Sequence, residues 1–227
     1  MTQPLSTCWT LIHGAATGRA ADRAAFARCY TPVVRAYLAA RWRATPRWQD
    51  LDDAVQEVFV ACFEPAGLLR RADPARPGGF RAYLYGLVRH VALRFEERAI
   101  RDRARRDGAG ADLDLIPDDG PDLAREFDRA WARALLREAA ARQKERARQA
   151  GGGAVRRIEL LRLRFHDGLP IREVARLWGE DAAQLHHEYA RAREEFREAL
   201  REVVAFHQPG PAAEVDRACA ELVQFLG

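Results

Sequence analysis

The chain has 227 residues, 48% of them hydrophobic and 31% charged, with a formal net charge of +4. That length holds one ordinary domain or two small ones with real apolar cores, which excludes a disordered or fibrous chain, and the basic balance asks for an acidic or polyanionic partner. Cys8, Cys29, Cys62 and Cys219 form no C-x-x-C pair, and no apolar run approaches the roughly 18 residues that span a bilayer, so the expectation is a folded cytoplasmic protein with reduced thiols, no metal and no membrane insertion.

Helical period prevails from the N-terminus onward without persuasive two-residue alternation, which predicts an all-α fold. Within Thr10 to Ala40, the residues Phe26, Cys29, Tyr30, Val33, Val34, Tyr37 and Leu38 recur at three- and four-residue steps and make a core-facing stripe. The stretch D-L-D-D-A-V-Q-E-V-F, Asp50 to Phe59, continues the pattern with Leu51, Val55, Val58, Phe59 and Cys62 inward, and it projects Asp53, Gln56 and Glu57 on the other side. Asp50 suits the N-cap, and Asp52 and Asp53 complement the positive end of the helix dipole. Gln56 and Glu57 lie beyond that first turn and need another reason.

A long basic loop, E-P-A-G-L-L-R-R-A-D-P-A-R-P-G-G from Glu64 to Gly79, leads into F-R-A-Y-L-Y-G-L-V-R-H-V-A-L-R-F-E-E-R-A-I-R-D-R from Phe80 to Arg103. Tyr83, Leu84, Leu87, Val88 and Val91 supply the buried side of that helix. Arg81, Tyr85, Arg89 and, further round, His90 and Arg94 supply another. Guanidinium groups pair with phosphate and aromatic rings stack on base faces, so this interleaving suits a nucleic-acid strand.

Charge changes sign along the chain. Arg76 to Arg106 carries nine arginines against Glu96, Glu97 and Asp102, a surplus larger than that of the whole chain. Asp107 to Asp122 then carries six aspartates and no base, and its Gly, Pro and Asp content reads as a tether. Gly151 to Gly153 and His207 to Pro211 make further breaks. Arg156 to Phe165 forms a supporting helix with Ile158, Leu161 and Phe165 among its apolar positions. Pro170 suits the first turn of a short helix with Ile171, Val174, Ala175 and Trp178 inward, and Gly179 stops it. Asp181 is a plausible N-cap for a long helix, with Gln184 three residues on. Leu185, Tyr189, Ala192, Phe196, Leu200 and Val203 make its core side, leaving Gln184, His186, His187, Glu188 and Arg191 outward. As a helix-turn-helix, this pair would read base edges with Gln184, His186 and His187 and anchor phosphates with Arg191 and Arg193. The C-terminal stretch is a short amphipathic helix with Val215, Cys219, Leu222, Val223 and Leu226 on its apolar side.

The paired segments D-L-D-D-A-V-Q-E-V-F and F-R-A-Y-L-Y-G-L-V-R-H-V-A-L resemble the second conserved region of bacterial RNA polymerase sigma factors of the extracytoplasmic-function type, within the sigma-70 family. Leu160 to Phe196 looks like the fourth conserved region of the same proteins. The resemblance implies a transcription initiation factor that binds core RNA polymerase, directs it to promoter DNA and assists opening, with an anti-sigma or other regulatory protein as a further partner. It implies a region 2 helical bundle over 1–106, an acidic linker over 107–122, a region 4 helix-turn-helix domain over 123–206 and a helical extension over 207–227. It assigns Asp52, Asp53, Gln56 and Glu57 to core-polymerase contact. Arg81, Tyr85, Arg89, His90 and Arg94 fall to the downstream promoter element, with flipped bases near the Glu64 to Gly79 loop, and Gln184, His186, His187, Arg191 and Arg193 to the upstream element. The linker would imitate a nucleic-acid backbone. His90 stands where Asn is usual, and Glu180 to Gln184 departs from the usual Ile-Ser-Val-Gly-Thr turn.

Residue types alone leave a second reading open, a stand-alone helix-turn-helix regulator with an N-terminal sensing or dimerisation bundle. An enzyme is not expected. His186, His187 and Glu188 point three ways round a helix rather than making the i, i+4 pair of H-E-x-x-H, and there is neither a Gly-rich phosphate loop nor a G-x-S-x-G elbow. No catalytic residue, metal or cofactor is therefore predicted.

Overall fold

The computed structural model describes residues 8–65, 67–73, 76–108 and 120–225. Over the described residues the chain forms α-helices and two short 3₁₀ turns, with no strand. None of these helices is long and apolar enough to cross a membrane. The chain packs as two compact units, residues 1–134 with 221–227, and residues 135–220. Composition sets a boundary at residue 123, whereas packing sets it inside a continuous helix, because the first turns of that helix bury Phe127, Ala130 and Trp131. Most of the expected acidic linker, residues 109–119, lies outside the described residues.

The first unit contains α1 (Cys8–Ala16), α2 (Ala20–Trp42), α3 (Leu51–Phe63), α4 (Gly79–Asp107) and the beginning of α5 (Pro121–Ala150). The periodic stretch from Thr10 divides at Gly18, whose φ of 98° ends α1 in a conformation that residues with a Cβ avoid. Phe26, Tyr30, Val33, Val34, Tyr37 and Leu38 of α2 are buried as the stripe predicts, with Cys29 half-buried beside them. They meet Leu51, Ala54, Val55, Val58 and Cys62 of α3 and Phe80, Leu84, Leu87, Val88 and Val91 of α4 in the core. Phe26 sits 4.7 Å from Tyr30, 5.7 Å from Phe63 and 5.8 Å from Phe80, all tilted or edge-on. Such pairs add about 0.5–1.5 kcal/mol each beyond the burial of their area. Burial pushes the Cys8 and Cys62 thiols up to about 12, which makes them packing groups rather than nucleophiles.

A buried polar staple joins α2 to α4. Glu96 accepts from Arg41 Nε at 2.7 Å, Arg41 Nη2 at 2.8 Å and Trp42 Nε1 at 2.8 Å. Asp50, by contrast, does not cap α3 with its side chain. It ends the 3₁₀ turn Pro46–Asp50, and that turn runs straight into α3, so its own backbone carbonyls take the first amides, Leu51 N–H donating to Trp48 O.

The second unit holds the rest of α5, α6 (Gly152–Phe165), α7 (Ile171–Trp178), α8 (Ala182–His207) and most of α9 (Ala212–Gln224). Leu160, Ile171, Val174, Ala175 and Leu185 form its buried cluster, with Trp178 and Tyr189 packed against it. The buried face of α6 differs from the predicted one: it is Ala154, Arg157 and Leu160, while Phe165 is 70% exposed. An arginine lies inside because two glutamates of α8 meet it, a pairing that an apolar count cannot see. In α9, Val215 and Leu222 are buried but Val223 is exposed, and Leu226 lies outside the described residues.

Candidate nucleic-acid interface

α3 carries the acidic face. Its inward side is set by Leu51, Ala54, Val55, Val58 and Cys62, and at 3.6 residues per turn this leaves Asp52, Asp53 and Gln56 exposed and Glu57 half-buried. Asp52 is held by an ion pair with Arg35 of α2. Val60, half-exposed, lies one turn beyond Gln56 on the same side. Sequence reasoning passed over it because a lone valine on a polar helix face carries no charge signal.

α4 presents the basic residues, and the five predicted ones divide. His90 and Arg94 are exposed. Arg81 is half-buried and pairs with Asp128 of α5, and Arg89 is half-buried as well. The Tyr85 ring stands edge-on between Tyr37 at 5.6 Å and Phe127 of α5 at 5.2 Å. Beyond Arg94 the same helix continues with exposed Arg98, Arg101 and Arg105 at four-, three- and four-residue steps, a stripe along one side. Arg101 lies 3.1 Å from Glu97 and Arg105 3.3 Å from Asp102.

The loop before α4 is anchored rather than open along its length. Leu69 is buried in the 3₁₀ turn Leu68–Arg71, and the Tyr83 hydroxyl of α4 donates to Leu68 O. Gly67 is required there, since a Cβ would meet Cys62 O at 2.6 Å. Arg70, Arg71 and Arg76 remain exposed, while residues 66, 74 and 75 of the predicted base-flipping loop lie outside the described residues.

In the second unit, Gly179 with φ 66° turns the chain between α7 and α8. Asp181 Oδ1 accepts from the Gln184 backbone N–H at 2.9 Å, the predicted cap. Gln184, His186, His187, Arg191 and Arg193 are all exposed. Arg193 lies over the Tyr189 ring at 5.7 Å, and Arg191 Nε is 3.5 Å from Glu195. Glu188, expected to face outward, instead accepts from Arg157 of α6 at 3.2 Å, and Glu195 takes the same guanidinium at 2.7 Å. Hydrogen bonding to Glu195, then to Glu188, raises the Arg157 pKa against the opposing effect of burial. The available sequence signal was the seven-residue spacing of Glu188 and Glu195, which puts both carboxylates on one side of α8. This clamp fixes α8 against α6 and leaves its first turns clear.

Exposed side chains thus cluster on three helices: acidic ones on α3, basic ones along α4, and polar and basic ones at the start of α8. Residues 26–106 match the family model for sigma-70 region 2. No curated protein and no solved structure matches the chain.

Proposed function

We propose that this chain, whose residues 26–106 match sigma-70 region 2, is a transcription initiation protein of the sigma-70 family and of the extracytoplasmic-function type, which docks on core RNA polymerase through α3 and directs the enzyme to particular promoters through α4 and α8. The observation that carries the reading is the matched region 2 with its acidic α3 face, Asp53, Gln56 and Glu57, turned out of the core and next in sequence to the arginine-lined α4. An acidic patch on an otherwise basic protein selects a basic protein surface and repels DNA, whereas an arginine stripe does the reverse, so one unit holds polymerase and promoter on separate faces.

In this reading Asp52 supports the docking face from its pair with Arg35. Arg81, Tyr85, Arg89, His90 and Arg94 serve the downstream element, where extruding a base costs only a few kcal/mol once pairing is weakened. The α7–α8 pair acts as the helix-turn-helix, with Gln184, His186 and His187 toward base edges and Arg191 and Arg193 toward phosphates.

Size-exclusion co-elution with bacterial core RNA polymerase tests the assignment, with the Asp53→Arg, Glu57→Arg variant run beside the wild type. Co-elution by the wild type that is lost in the variant is the expected result. A folded wild type that ignores core polymerase but binds duplex DNA by itself would point instead to a stand-alone helix-turn-helix regulator.

A further inference from the structure

The region 2 match stops at residue 106, yet the first unit continues into α5. The first turns of α5 lie on Arg81 and Tyr85 of α4, which the functional reading gives to DNA, and on Tyr37 and Tyr30 of α2. Asp128 forms an ion pair with Arg81. Phe127 is fully buried, 5.2 Å from the Tyr85 ring and 6.4 Å from the Tyr37 ring, both edge-on. One turn further, Trp131 stacks on Tyr30 at 5.7 Å with the planes 14° apart. Phe225, near the C-terminus, places its ring 5.6 Å from the Arg81 guanidinium on top of this.

A carboxylate on a guanidinium and aromatic rings against tyrosines are the contacts that a phosphate and unstacked bases make with an arginine and aromatic surface. We propose that the Phe127–Asp128–Trp131 segment of α5 is an internal stand-in for single-stranded DNA, occupying the Arg81–Tyr85 cleft in cis and leaving it only when promoter DNA is to be held. The proposal rests on the reading of α4 as the promoter-binding helix. A segment tethered in the same chain competes at high effective concentration, so it needs few contacts to exclude a separate strand. A groove lined by Ala40, Arg43, Leu123, Glu126 and Arg129 runs beside the start of α5. The acidic tether ahead of α5 and the break at Gly151 to Gly153 after it bracket the segment in sequence. Such a device keeps the isolated protein from binding single strands without abolishing the site.

The test is equilibrium anisotropy of the full chain with labelled mixed-sequence single-stranded DNA at fixed low salt. Asp128→Asn removes the phosphate substitute, Phe127→Leu removes the ring while keeping the site filled, and Asp122→Asn makes the same charge change on an exposed residue of α5. Circular dichroism checks folding, and Asp128→Asn, at a partly exposed position, suffices if the Phe127 variant fails to fold. The expected result is tighter binding, about tenfold for the Asp128→Asn, Phe127→Leu double variant if the closed form holds about nine molecules in ten. Asp122→Asn should leave binding unchanged, and adding Arg81→Ala should remove the gain. Unchanged affinity in the folded Asp128 and Phe127 variants, or an equal gain in Asp122→Asn, overturns the proposal. A parallel promoter-opening assay on holoenzyme separates the two failures. Opening impaired by Arg81→Ala without any gain in the α5 variants sinks only the stand-in, whereas opening untouched by Arg81→Ala sinks the promoter role of the cleft and the stand-in with it.

Discussion

His207 ends α8 at 8% exposure, and burial, followed by the nearby Arg142 charge, holds its imidazole down at about 3. The unfolded chain would titrate this group near pH 6.5, so between pH 6.5 and about 3 the unfolded state binds the proton that the folded state refuses. Its stabilising effect is complete above pH 6.5 and is lost as the pH falls. From pH 7 to pH 5 this one group should cost the second unit about 2 kcal/mol, read as a fall in denaturation midpoint that His207→Leu lacks. An equal fall in both proteins would assign the pH dependence elsewhere. Arg157 teaches the complementary lesson at this scale. Its long stem fills the interior of the second unit because Glu188 and Glu195 hold its head. The residue types announce three charged side chains, and only packing brings the three together.

At the scale of elements, hydrophobic period placed the helices well wherever the buried face is purely apolar. The α2, α3 and α4 stripes are buried largely as read, since a bundle core must be lined at three- and four-residue steps. It failed on α6, whose buried face includes an arginine, and at the start of α3, where a 3₁₀ turn takes over the capping task given to Asp50. The staple between α2 and α4 was likewise hidden in sequence, because Arg41 and Glu96 stand 55 residues apart. Both side chains are almost fully enclosed, at 4% and 6% exposure. Removing one partner strands the other charge, so Glu96→Ala should destabilise the first unit by about 3–5 kcal/mol in urea unfolding. A change near 1 kcal/mol would mean that water reaches Arg41 and that the pair acts as a surface one.

For the molecule as a whole, the functional reading requires that polymerase contact and DNA contact be separable. Arg89→Ala with His90→Ala should lower promoter opening by about tenfold, the loss of one or two stacking or phosphate contacts, while core co-elution stays intact. Asp53→Arg with Glu57→Arg should do the reverse. Equal losses in both assays for either pair would refute the division of labour. The acidic face of α3 was legible because charge on the outer side of an amphipathic helix needs only the 3.6-residue period to place it. Arg81 and Tyr85 were legible as a chemical type but not as occupied groups, because Asp128 and Phe127 reach them from the far side of an acidic tether.

Local order decided the rest. Helical class, the region matching sigma-70 region 2, and the charge reversal after Arg106 follow from neighbours within about one helical turn or from composition, and these the amino-acid sequence determined by itself. The carboxylates that meet Arg157 and Arg41, the unit boundary inside α5, and the cover over Arg81 and Tyr85 depend on residues tens of positions apart. Those were decided only by the tertiary structure, since burial of a charge is favourable only when a distant partner arrives to satisfy it.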